Sequence, residues 1–574
     1  MAGRPKTHMA SPSLKWQIIA QTFSDFLRLK SALWAVMILL AGFVMVGHQT
    51  LAPIDRDEAR FSQASKQMVA SKDFIVIKFQ DEYRAKKPAG IYWLQATSAA
   101  LFGVDDIANY RLPSLAGYLA SFALIFAFAH MMNLTGWGGL APMIASLMLC
   151  SSFIVFAESH LAKTDSLLLA LIIWQQISLF DIYRRRNDGQ AGAPVNQFWI
   201  AMALAVLVKG PIGPLVAFMT IALLICFDRQ LLMIRRLRLL RGLLILLVII
   251  APWAVSVQIA TQGAFLDIAI RGDFLAKVQS AQESHGAPPG TYLLLLPLLA
   301  FPASLFFGQL AMVGKTIFAR DTGRFVIAWL IGYWVMIELT PTKLPHYVLP
   351  ALPALILLVL LCFRYPEKPV KWRIRASYAI MIVAAVGGMA FSLLFVYLAL
   401  RFGGVGSGIA FFLSLMAVIV TAACLYAMWK WTKSPQSALM AAILFAGIVS
   451  HMTIISGVIS NANLIHPSRM LAEQIKSLKQ SPDMIAAAGY HEPSMVFHLS
   501  KDILLVDETE AALLLAEAPG GLVIIEAQKK SKFLDTTAKL NLEVGEVGRV
   551  DGYNISKGRD ITLHLYRRDA LAKK

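Results

Sequence analysis

The sequence predicts a mainly α-helical, polytopic membrane protein that ends in a small α/β domain. The chain has 574 residues, of which 57% are hydrophobic and 15% charged, and its mean hydropathy is +0.61. Soluble domains contain about 45–50% apolar and about 25% charged residues. Apolar runs recur from Ala32 to about Ser460. The composition therefore indicates repeated crossings of a bilayer and excludes a soluble enzyme with a single anchor.

Runs of about 17–25 apolar residues predict the membrane helices. The run 198–209 is short and is separated from the next one by Lys209-Gly210-Pro211, so we expect a tilted or broken span there. About thirteen spans result, near 32–49, 112–131, 138–156, 166–183, 198–209, 211–227, 242–260, 291–312, 325–339, 347–363, 376–400, 408–429 and 438–460.

The distribution of charge predicts the orientation of these spans. Alternation divides the loops into two sets, and the set that includes residues 1–30 carries 23 Lys and Arg against 6 Asp and Glu, whereas the other carries 15 against 14. By the positive-inside rule the first set, with the N-terminus, is cytoplasmic. The net charge of +18 is then explained by anionic lipid headgroups, and nucleic acid is not expected as a partner.

Three units follow from this topology. Residues 1–30 form a cytoplasmic N-terminal segment, and residues 31–460 form the transmembrane domain. Its first outer loop, 50–111, has apolar residues at helical spacing, which predicts amphipathic interfacial helices. The predicted stripes are Phe61, Ala64 and Met68 in one helix and Ile91, Leu94, Thr97 and Leu101 in the next. Residues 461–574 alternate short strand-like and helix-like runs and predict a periplasmic α/β domain. The strand-like runs are Met484–Ala488, Ile503–Val506, Leu522–Glu526 and Ile561–Tyr566.

Ionisable residues cluster at the predicted outer face. Carboxylates in a proton-coupled transporter are expected near the bilayer midplane, whereas these clusters lie in loops or at span ends. Each cluster alone can be explained by a structural role, as a helix terminus, a lipid anchor or a solvated turn. Together the clusters favour a functional site at the outer membrane–water boundary. They are Asp55–Arg60, Tyr83–Gly90, Glu158–Asp165 with Lys209, Arg271–Gly290 and Thr340–Pro350.

The types of residue in these clusters predict the chemistry. The cations exceed what one substrate carboxylate needs, and they suit a lipid-linked phosphate leaving group held at the bilayer edge. A carboxylate of the first cluster could accept a proton from a hydroxyl group or hold a cationic group.

The order of these motifs resembles a known family. Asp57-Glu58-x-Arg60, Lys87-Pro88, Lys163-Thr164-Asp165, Lys209-Gly210-Pro211 and Lys343-Leu344-Pro345-x-Tyr347 are similar to the aminoarabinose transferase branch of the protein mannosyltransferase-like glycosyltransferases. The resemblance covers residues 30–460. It implies a GT-C membrane fold and an inner-membrane enzyme that takes a sugar from a polyprenyl phosphate on the periplasmic side. It also implies an envelope glycolipid acceptor, often lipid A or lipopolysaccharide core.

The resemblance also implies residue roles. Asp57 would be the essential acid of the first outer loop, with Arg60 as its partner and Asp165 as a second acid. Lys87 and Tyr347 would contact the carrier phosphate, and His285 would be the loop histidine. Together with the cluster analysis, this gives catalytic candidates Asp57, Asp165 and Arg60; phosphate-binding candidates Lys87, Lys86, Tyr347, Lys209 and Arg271; and acceptor- or donor-binding candidates Glu58, His285, Glu283, Lys343 and His346.

One position departs from the family pattern. Lys86 stands where aminoarabinose transferases have a Glu before Lys-Pro, and in the family that Glu is a metal contact. The sequence therefore identifies no particular cofactor, and the divalent ion that the resemblance implies is left open. The added positive charge favours an anionic donor sugar, such as a uronic acid.

The sequence thus predicts a glycosyltransferase that moves one sugar from a polyprenyl phosphate to an envelope glycolipid. A flippase or permease for lipid-linked sugars is the alternative, and it would place charge along a path through the membrane. A third possible function is that of an envelope assembly factor, and in that case the substitution Asp57→Asn would leave the function unchanged.

Overall fold

The computed structural model describes residues 12–134, 139–187, 193–268, 286–368, 370–404 and 407–568. Helices dominate as far as residue 460. They are α1 (Pro12–Thr50), α2 (Arg56–Ser71), α3 (Gly90–Phe102), α4 (Ile107–Met131), α5 (Ala141–Ser151), α6 (Phe153–Ser159), α7 (Asp165–Arg184), α8 (Ala193–Lys209), α9 (Ile212–Asp228), α10 (Leu232–Arg236), α11 (Leu239–Ala260), α12 (Ala264–Asp267), α13 (Thr291–Leu299), α14 (Lys315–Phe318), α15 (Asp321–Leu339), α16 (Leu352–Arg364), α17 (Lys371–Phe402), α18 (Ser407–Lys433) and α19 (Ser437–Met452).

The apolar helices occupy all thirteen predicted segments. Within the described residues, nine helices are long and apolar enough to cross a membrane, and the bent pair α5–α6 brings the number to ten if it is counted as one span. The shorter apolar helices are Pro194–Lys209, Ile212–Asp228 and Ala303–Met312. Short 3₁₀ helices cover Ala303–Met312 and Pro345–Ala351, and a π-helical turn, Thr453–Ile459, extends α19. The helical membrane fold is confirmed.

Two predicted spans are broken inside. The segment 138–156 bends by 68° between α5 and α6, and the segment 291–312 divides into α13 and a 3₁₀ helix around the cis peptide Phe301–Pro302. The two breaks meet, because the backbone N–H of Phe153 donates to the carbonyl of Phe301 at 3.0 Å. Backbone groups in a bilayer must be satisfied within the protein, and here one break supplies the partner for the other.

The predicted helices of the first outer loop are α2 and α3. The predicted apolar stripe of α2 is buried, with Phe61, Ala64 and Met68 at most 3% exposed. The stripe predicted for α3 is only partly buried, because Ile91 is inside whereas Leu94 and Leu101 are exposed. The buried face of α3 is built around Tyr92, Gln95 and Ala96 instead. A short antiparallel hairpin, β1 (Lys78–Phe79) and β2 (Glu82–Tyr83), connects the two helices.

A five-stranded sheet forms the C-terminal unit. Its strands are β3 (Ile485–Ala488), β4 (Leu504–Val506), β5 (Leu522–Glu526), β6 (Val544–Asn554) and β7 (Arg559–Arg568), in the order β4-β3-β5-β7-β6. Strands β4, β3 and β5 are parallel, and β7 is antiparallel to both β5 and β6. The helices are α20 (Pro467–Lys476), α21 (Pro493–His498), α22 (Glu508–Glu517) and α23 (Lys530–Lys539).

This unit packs against the first outer loop. The ring of Phe497 on α21 lies 5.8 Å from the ring of Tyr110 on α4, in an edge-to-face arrangement, and the Lys66 ammonium of α2 lies 5.6 Å from the centre of the Phe497 ring. Gln80, in the hairpin turn, donates to the carbonyls of Lys501 and Ile503. The C-terminal unit therefore contacts the helix that carries the candidate acid Asp57.

Candidate functional site

The N-terminus of α2 places the acidic cluster. Asp55 is the N-cap, and its Oδ1 accepts hydrogen bonds from the backbone N–H groups of Asp57 at 2.7 Å and Glu58 at 3.1 Å. Aspartate is a favoured N-cap residue because its side chain accepts hydrogen bonds from these otherwise unpaired donors. Its second oxygen, Oδ2, accepts a hydrogen bond from Lys163 Nζ at 3.0 Å, so the cap also joins α2 to the loop before α7.

Asp57 lies in the first turn of α2 with its side chain 56% exposed. Its Oδ1 is 3.4 Å from Arg84 Nη2 and 3.6 Å from Arg60 Nη1. Partial burial by itself raises the pKa of this carboxyl, but Arg84, Arg60, Lys163 and Lys87 outweigh that effect and lower the pKa to about 2. Asp57 is therefore ionised at neutral pH, accessible, and surrounded by cations.

Arg84 is the most firmly held of these cations. Its Nε donates to the Tyr92 hydroxyl at 3.0 Å, its guanidinium lies 4.9 Å from the centre of the Phe61 ring, and its side chain is 6% exposed. These contacts fix the planar group before any ligand arrives, which is the condition under which a charge stabilises a transition state well.

A second set of charges alternates in sign on the adjoining turn. Lys163 Nζ is 3.0 Å from Asp55 Oδ2 and 3.2 Å from Glu158 Oε1. Burial lowers the pKa of Lys163, but Glu158, Asp55 and Asp165 together raise it well above its ordinary value, so the ammonium stays charged.

The same set continues to Lys209. The ring nitrogens of His346 lie 3.8 Å from Glu158 Oε1 and 3.9 Å from Asp165 Oδ1, and Asp165 accepts a hydrogen bond from Lys209 Nζ. Lys209 in turn lies 5.9 Å from the centre of the Tyr347 ring. Residues from α6, α7, α8 and the 3₁₀ helix Pro345–Ala351 therefore converge at one place.

Close helix contacts at two glycines bring these charges together. A Cβ at Gly117 of α4 would lie 2.6 Å from the backbone of Leu167 on α7, and a Cβ at Gly90 of α3 would lie 2.7 Å from the Leu207 carbonyl of α8. Because real Cβ atoms do not approach so closely, only glycine permits these contacts. They hold the start of α7, with Asp165, against α4, and the end of α8, with Lys209, against α3 of the first outer loop.

A buried ion pair between α2 and α4 stabilises the helical turn that carries Asp57. Arg111 Nε donates to Glu58 Oε1 at 2.8 Å, and both side chains are fully buried. Glu58 Oε1 also accepts from the Ala162 backbone N–H at 2.9 Å. Glu58 was predicted to bind acceptor or donor, but these contacts give it a positioning role beneath the surface that carries Asp57.

Most of the remaining candidates are placed as follows. Lys87 is half-buried and contributes to the positive potential at Asp57, and Lys86 is exposed. Lys343 Nζ donates to the carbonyls of Ile337, Glu338 and Thr340 and so caps the C-terminus of α15. The predictions for Arg271, Glu283 and His285 concern residues outside the described ranges.

Four members of the site were not among the predicted functional residues: Arg84, Asp55, Lys163 and Glu158. All lie inside the sequence clusters, so clustering of charge was a usable signal. Their individual importance depends on contacts between residues far apart in the chain, such as Lys163 with Asp55, which one sequence does not reveal.

The described residues do not form a metal centre. They contain no group of three or more His, Cys, Asp and Glu side chains that could hold an ion. The position where the resemblance implies a metal-binding Glu is Lys86, which is exposed and adjacent to the cation Lys87. Two ammonium groups oppose a divalent cation, so these residues do not fit the implied metal.

Comparison with known proteins defines the class of fold. The structure of ArnT from Cupriavidus metallidurans bound to undecaprenyl phosphate superimposes with a TM-score of 0.69 at 18% identity, covering 93% of this chain and 98% of that one. The apo structure of the same protein gives a TM-score of 0.67. The fold is therefore the GT-C fold of ArnT.

Sequence comparison finds relatives over part of the chain. The family model described as dolichyl-phosphate-mannose-protein mannosyltransferase matches residues 86–255. The undecaprenyl phosphate-alpha-4-amino-4-deoxy-L-arabinose arabinosyl transferase of Aeromonas hydrophila is 26% identical over 54% of this chain and 57% of its own length. The undecaprenyl phosphate-alpha-4-amino-4-deoxy-L-arabinose arabinosyl transferase 2 of Proteus mirabilis is 24% identical over 53% of this chain and 54% of its own length. The chain thus spans about half the length of these curated relatives, and the predicted resemblance is confirmed.

Proposed function

We propose that this protein is a membrane glycosyltransferase that moves one sugar from a polyprenyl phosphate to an envelope glycolipid. Undecaprenyl phosphate is the proposed carrier, and lipid A or lipopolysaccharide core is the proposed acceptor. The proposed location is a bacterial inner membrane, with the N-terminus in the cytoplasm and the site and the C-terminal unit in the periplasm. The names of the relatives and the shared fold support this assignment.

The observation that carries the proposal is the setting of Asp57. An accessible carboxylate lies 3.4 and 3.6 Å from two guanidinium groups, beside a buried set of further charges that includes Lys163 and Lys209. This arrangement can hold a phosphate diester and a nucleophile next to each other. The convergence of these charges at one place, rather than along a path through the bundle, favours chemistry over transport.

The proposed reaction is a single displacement. The acceptor oxygen forms a bond to the anomeric carbon, the bond from that carbon to the phosphate oxygen breaks, and the electron pair leaves with the polyprenyl phosphate. Arg84, Arg60 and Lys87 are placed to stabilise the charge that develops on the departing phosphate. Lys209 and Tyr347 lie at the other end of the charged set, where they could contact the same carrier.

The role of Asp57 depends on the acceptor. For a hydroxyl acceptor it would take the proton, although a pKa of about 2 makes a weak base. A bound carrier phosphate would neutralise the surrounding cations and raise that pKa toward a useful value. For a phosphate acceptor, which is already ionised, Asp57 would position the acceptor or a group on the donor.

Mass spectrometry of envelope glycolipids tests the proposal. A deletion strain would be complemented with wild type, with Asp57→Asn, or with the control Asp105→Asn, whose carboxylate is 88% exposed and pairs with Lys66. We expect loss of one sugar mass in the deletion, restored by wild type and the control only. Restoration by Asp57→Asn as well would contradict the proposed chemistry and favour a flippase or an assembly factor.

A further inference from the structure

Three consecutive residues at the start of α2 are held by three different parts of the protein. The ion pairs are Arg56–Glu492, Asp57–Arg84 and Glu58–Arg111. Their partners belong to the C-terminal unit, to the end of the hairpin and to α4. Because 3.6 residues make one turn of an α-helix, successive side chains are about 100° apart around its axis. The first turn of α2 is therefore held from three sides, and the C-terminal unit supplies one of the three contacts.

The rotation of this turn decides what each side chain faces. Glu58 faces the interior and is fully buried, whereas the side chain of Asp57 is 56% exposed and faces the cations. A rotation of α2 by one residue position would exchange these two environments. The rotation must therefore stay fixed if Asp57 is to keep its distance of 3.4 Å from Arg84.

The chain that leads into α2 cannot fix this rotation by its own secondary structure. Residues 51–55, between α1 and α2, form neither helix nor strand. Arg469 of α20 donates from Nη1 to the carbonyl of Thr50 at 3.3 Å, where α1 ends. Glu492 pairs with Arg56, where α2 begins, at 3.2 Å between Oε2 and Nε. The C-terminal unit thus contacts both ends of this connecting segment.

Glu492 is itself held in place by its own unit. Its Oε1 accepts a hydrogen bond from Asn554 Nδ2 at 3.3 Å, and its Oε2 accepts one from Ser556 Oγ at 3.3 Å. These donors lie at the end of β6 and in the turn that follows it. The side chain of Glu492 is 11% exposed, whereas that of Arg56 is 41% exposed. A carboxylate held in this way can transmit the position of the C-terminal unit to α2.

The contact between Glu492 and Arg56 is suited to fixing a position rather than to stabilising the fold. Ion pairs with a solvent-exposed partner contribute little to stability. Misplacing a reacting group by about 1 Å, however, can lower a rate by about 10²-fold. Loss of this contact should therefore change the rate of the reaction much more than it changes thermal unfolding.

We infer that Glu492 is a positioning residue for the reaction: through Arg56, the C-terminal unit fixes the rotation of α2 at which Asp57 faces the cations. This inference rests on the proposed function, and it gives the C-terminal unit a role in catalysis that acts through α2.

A second ion pair between the two units provides a matched control. Arg401 Nη2, near the end of α17, lies 2.7 Å from each carboxylate oxygen of Asp560 on β7. This pair joins the C-terminal unit to α17 and not to α2. Asp560→Asn therefore removes an ion pair between the same two units without touching the turn that carries Asp57.

Variants of the full-length protein in nanodiscs test the inference. Glu492→Gln and Arg56→Gln each remove one charge of the pair, whereas Arg56→Lys keeps both charges. Hydrogen–deuterium exchange, read by mass spectrometry, follows the backbone N–H groups of residues 57–59, which donate to Asp55. Thermal unfolding checks that each variant is folded. The rate of sugar transfer is measured on the glycolipids in membranes of a deletion strain that carries each variant.

We expect faster exchange and a rate lower by about tenfold or more in Glu492→Gln and in Arg56→Gln, with thermal unfolding as in wild type. Arg56→Lys and Asp560→Asn should match wild type in all three measurements. The double variant of Glu492→Gln with Arg56→Gln should be no slower than either single variant, because both substitutions remove the same contact.

The two charge-removing variants also separate positioning from a direct effect of charge. Glu492→Gln leaves the positive charge of Arg56 without its partner, and Arg56→Gln removes that charge, so a purely electrostatic effect on Asp57 would have opposite signs. Opposite effects on the rate, unchanged exchange in Glu492→Gln, or an equal loss of rate in Asp560→Asn would overturn the inference. If wild type transfers no sugar, the proposed function fails instead, and the exchange measurement alone then decides whether Glu492 holds the turn.

Discussion

Glu58 and Arg111 form an ion pair with no exposed surface, at 2.8 Å between Oε1 and Nε. Arg111 Nη1 also donates to the carbonyls of His48 at 2.6 Å and Leu51 at 2.7 Å. One guanidinium therefore joins the end of α1, the first turn of α2 and the body of α4.

Removing one partner of this pair should destabilise the fold. An uncompensated buried charge costs about 3–5 kcal/mol, so Arg111→Ala should lower the free energy of unfolding by about that amount. The control is Arg184→Ala, because Arg184 is 42% exposed in its pair with Asp181 and such pairs contribute about 0–1 kcal/mol. Thermal unfolding in nanodiscs measures both; equal shifts would contradict a structural role for the buried pair.

Arg84 should matter for catalysis more than for folding. If it stabilises the leaving phosphate, Arg84→Ala should lower kcat by about 10²–10³-fold, the usual effect of losing one preorganised donor. Lys78→Ala, an exposed cation on the same hairpin, is the control and should be near wild type. The rate would be followed by mass spectrometry of the acceptor, and a change in KM alone would argue against transition-state stabilisation.

Asp165 and Lys209 should act as one unit. Both are largely buried, at 6% and 11% exposure, so each single substitution leaves a charge without its partner. We expect Asp165→Asn and Lys209→Gln to be less than additive in the double variant, with a coupling of about 0.5–3 kcal/mol. The free energy of unfolding would be measured for wild type, the two single variants and the double variant, which form a double-mutant cycle. If the two single effects add up to that of the double variant, the contact between Asp165 and Lys209 does not contribute to stability.

The low pKa of Asp57 predicts how its contribution depends on pH. The folded-state pKa of about 2 lies below the ordinary 3.8, so the ionised form is favoured in the folded state. Its stabilising effect is fully present above pH 3.8 and is lost as the pH falls toward 2. Infrared difference spectra of wild type against Asp57→Asn should show carboxyl protonation only in that acid range. In Arg84→Met the protonation should move to higher pH; no movement would show that Arg84 does not set the pKa.

Lys86 should affect the choice of donor. Its positive charge, in place of the Glu of the related enzymes, predicts that Lys86→Glu lowers turnover of a uronic donor relative to a neutral one. Lys72→Glu, an exposed change of the same charge at the end of α2, is the control. Turnover of a uronic donor and of a neutral donor would be measured for each protein. If the ratio of the two rates is the same in Lys86→Glu as in wild type, the argument for an anionic donor sugar fails.

The sequence predicted the membrane helices well because a long apolar run in a bilayer has one main way to satisfy its backbone. It did not predict β6, because Val544–Asn554 contains three glycines and several charges and is held as a strand by its long pairing with β7. The strands β3, β4, β5 and β7 have apolar cores and were predicted.

The site was predicted unevenly for a related reason. Asp57, Arg60, Asp165, Lys209, His346 and Tyr347 are brought into two adjoining sets of charges, as their clustering suggested. Lys343 belongs to the same loop cluster as His346 and Tyr347, but its ammonium caps a helix. Glu58 is next to Asp57 in the chain, but its side chain is on the buried side of the same helical turn. Whether a charged residue faces a ligand or the protein depends on helix rotation and packing, which residue type alone does not specify.

The hydrogen bond between Phe153 and Phe301 has a consequence for changes in chain length. Because it joins the break between α5 and α6 to the break after α13, an insertion or deletion in either segment would move the donor or the acceptor and leave a buried backbone group without this partner. The short helix α6 starts at Phe153 and carries Glu158, so a length change near residue 301 would also displace a residue of the charged site.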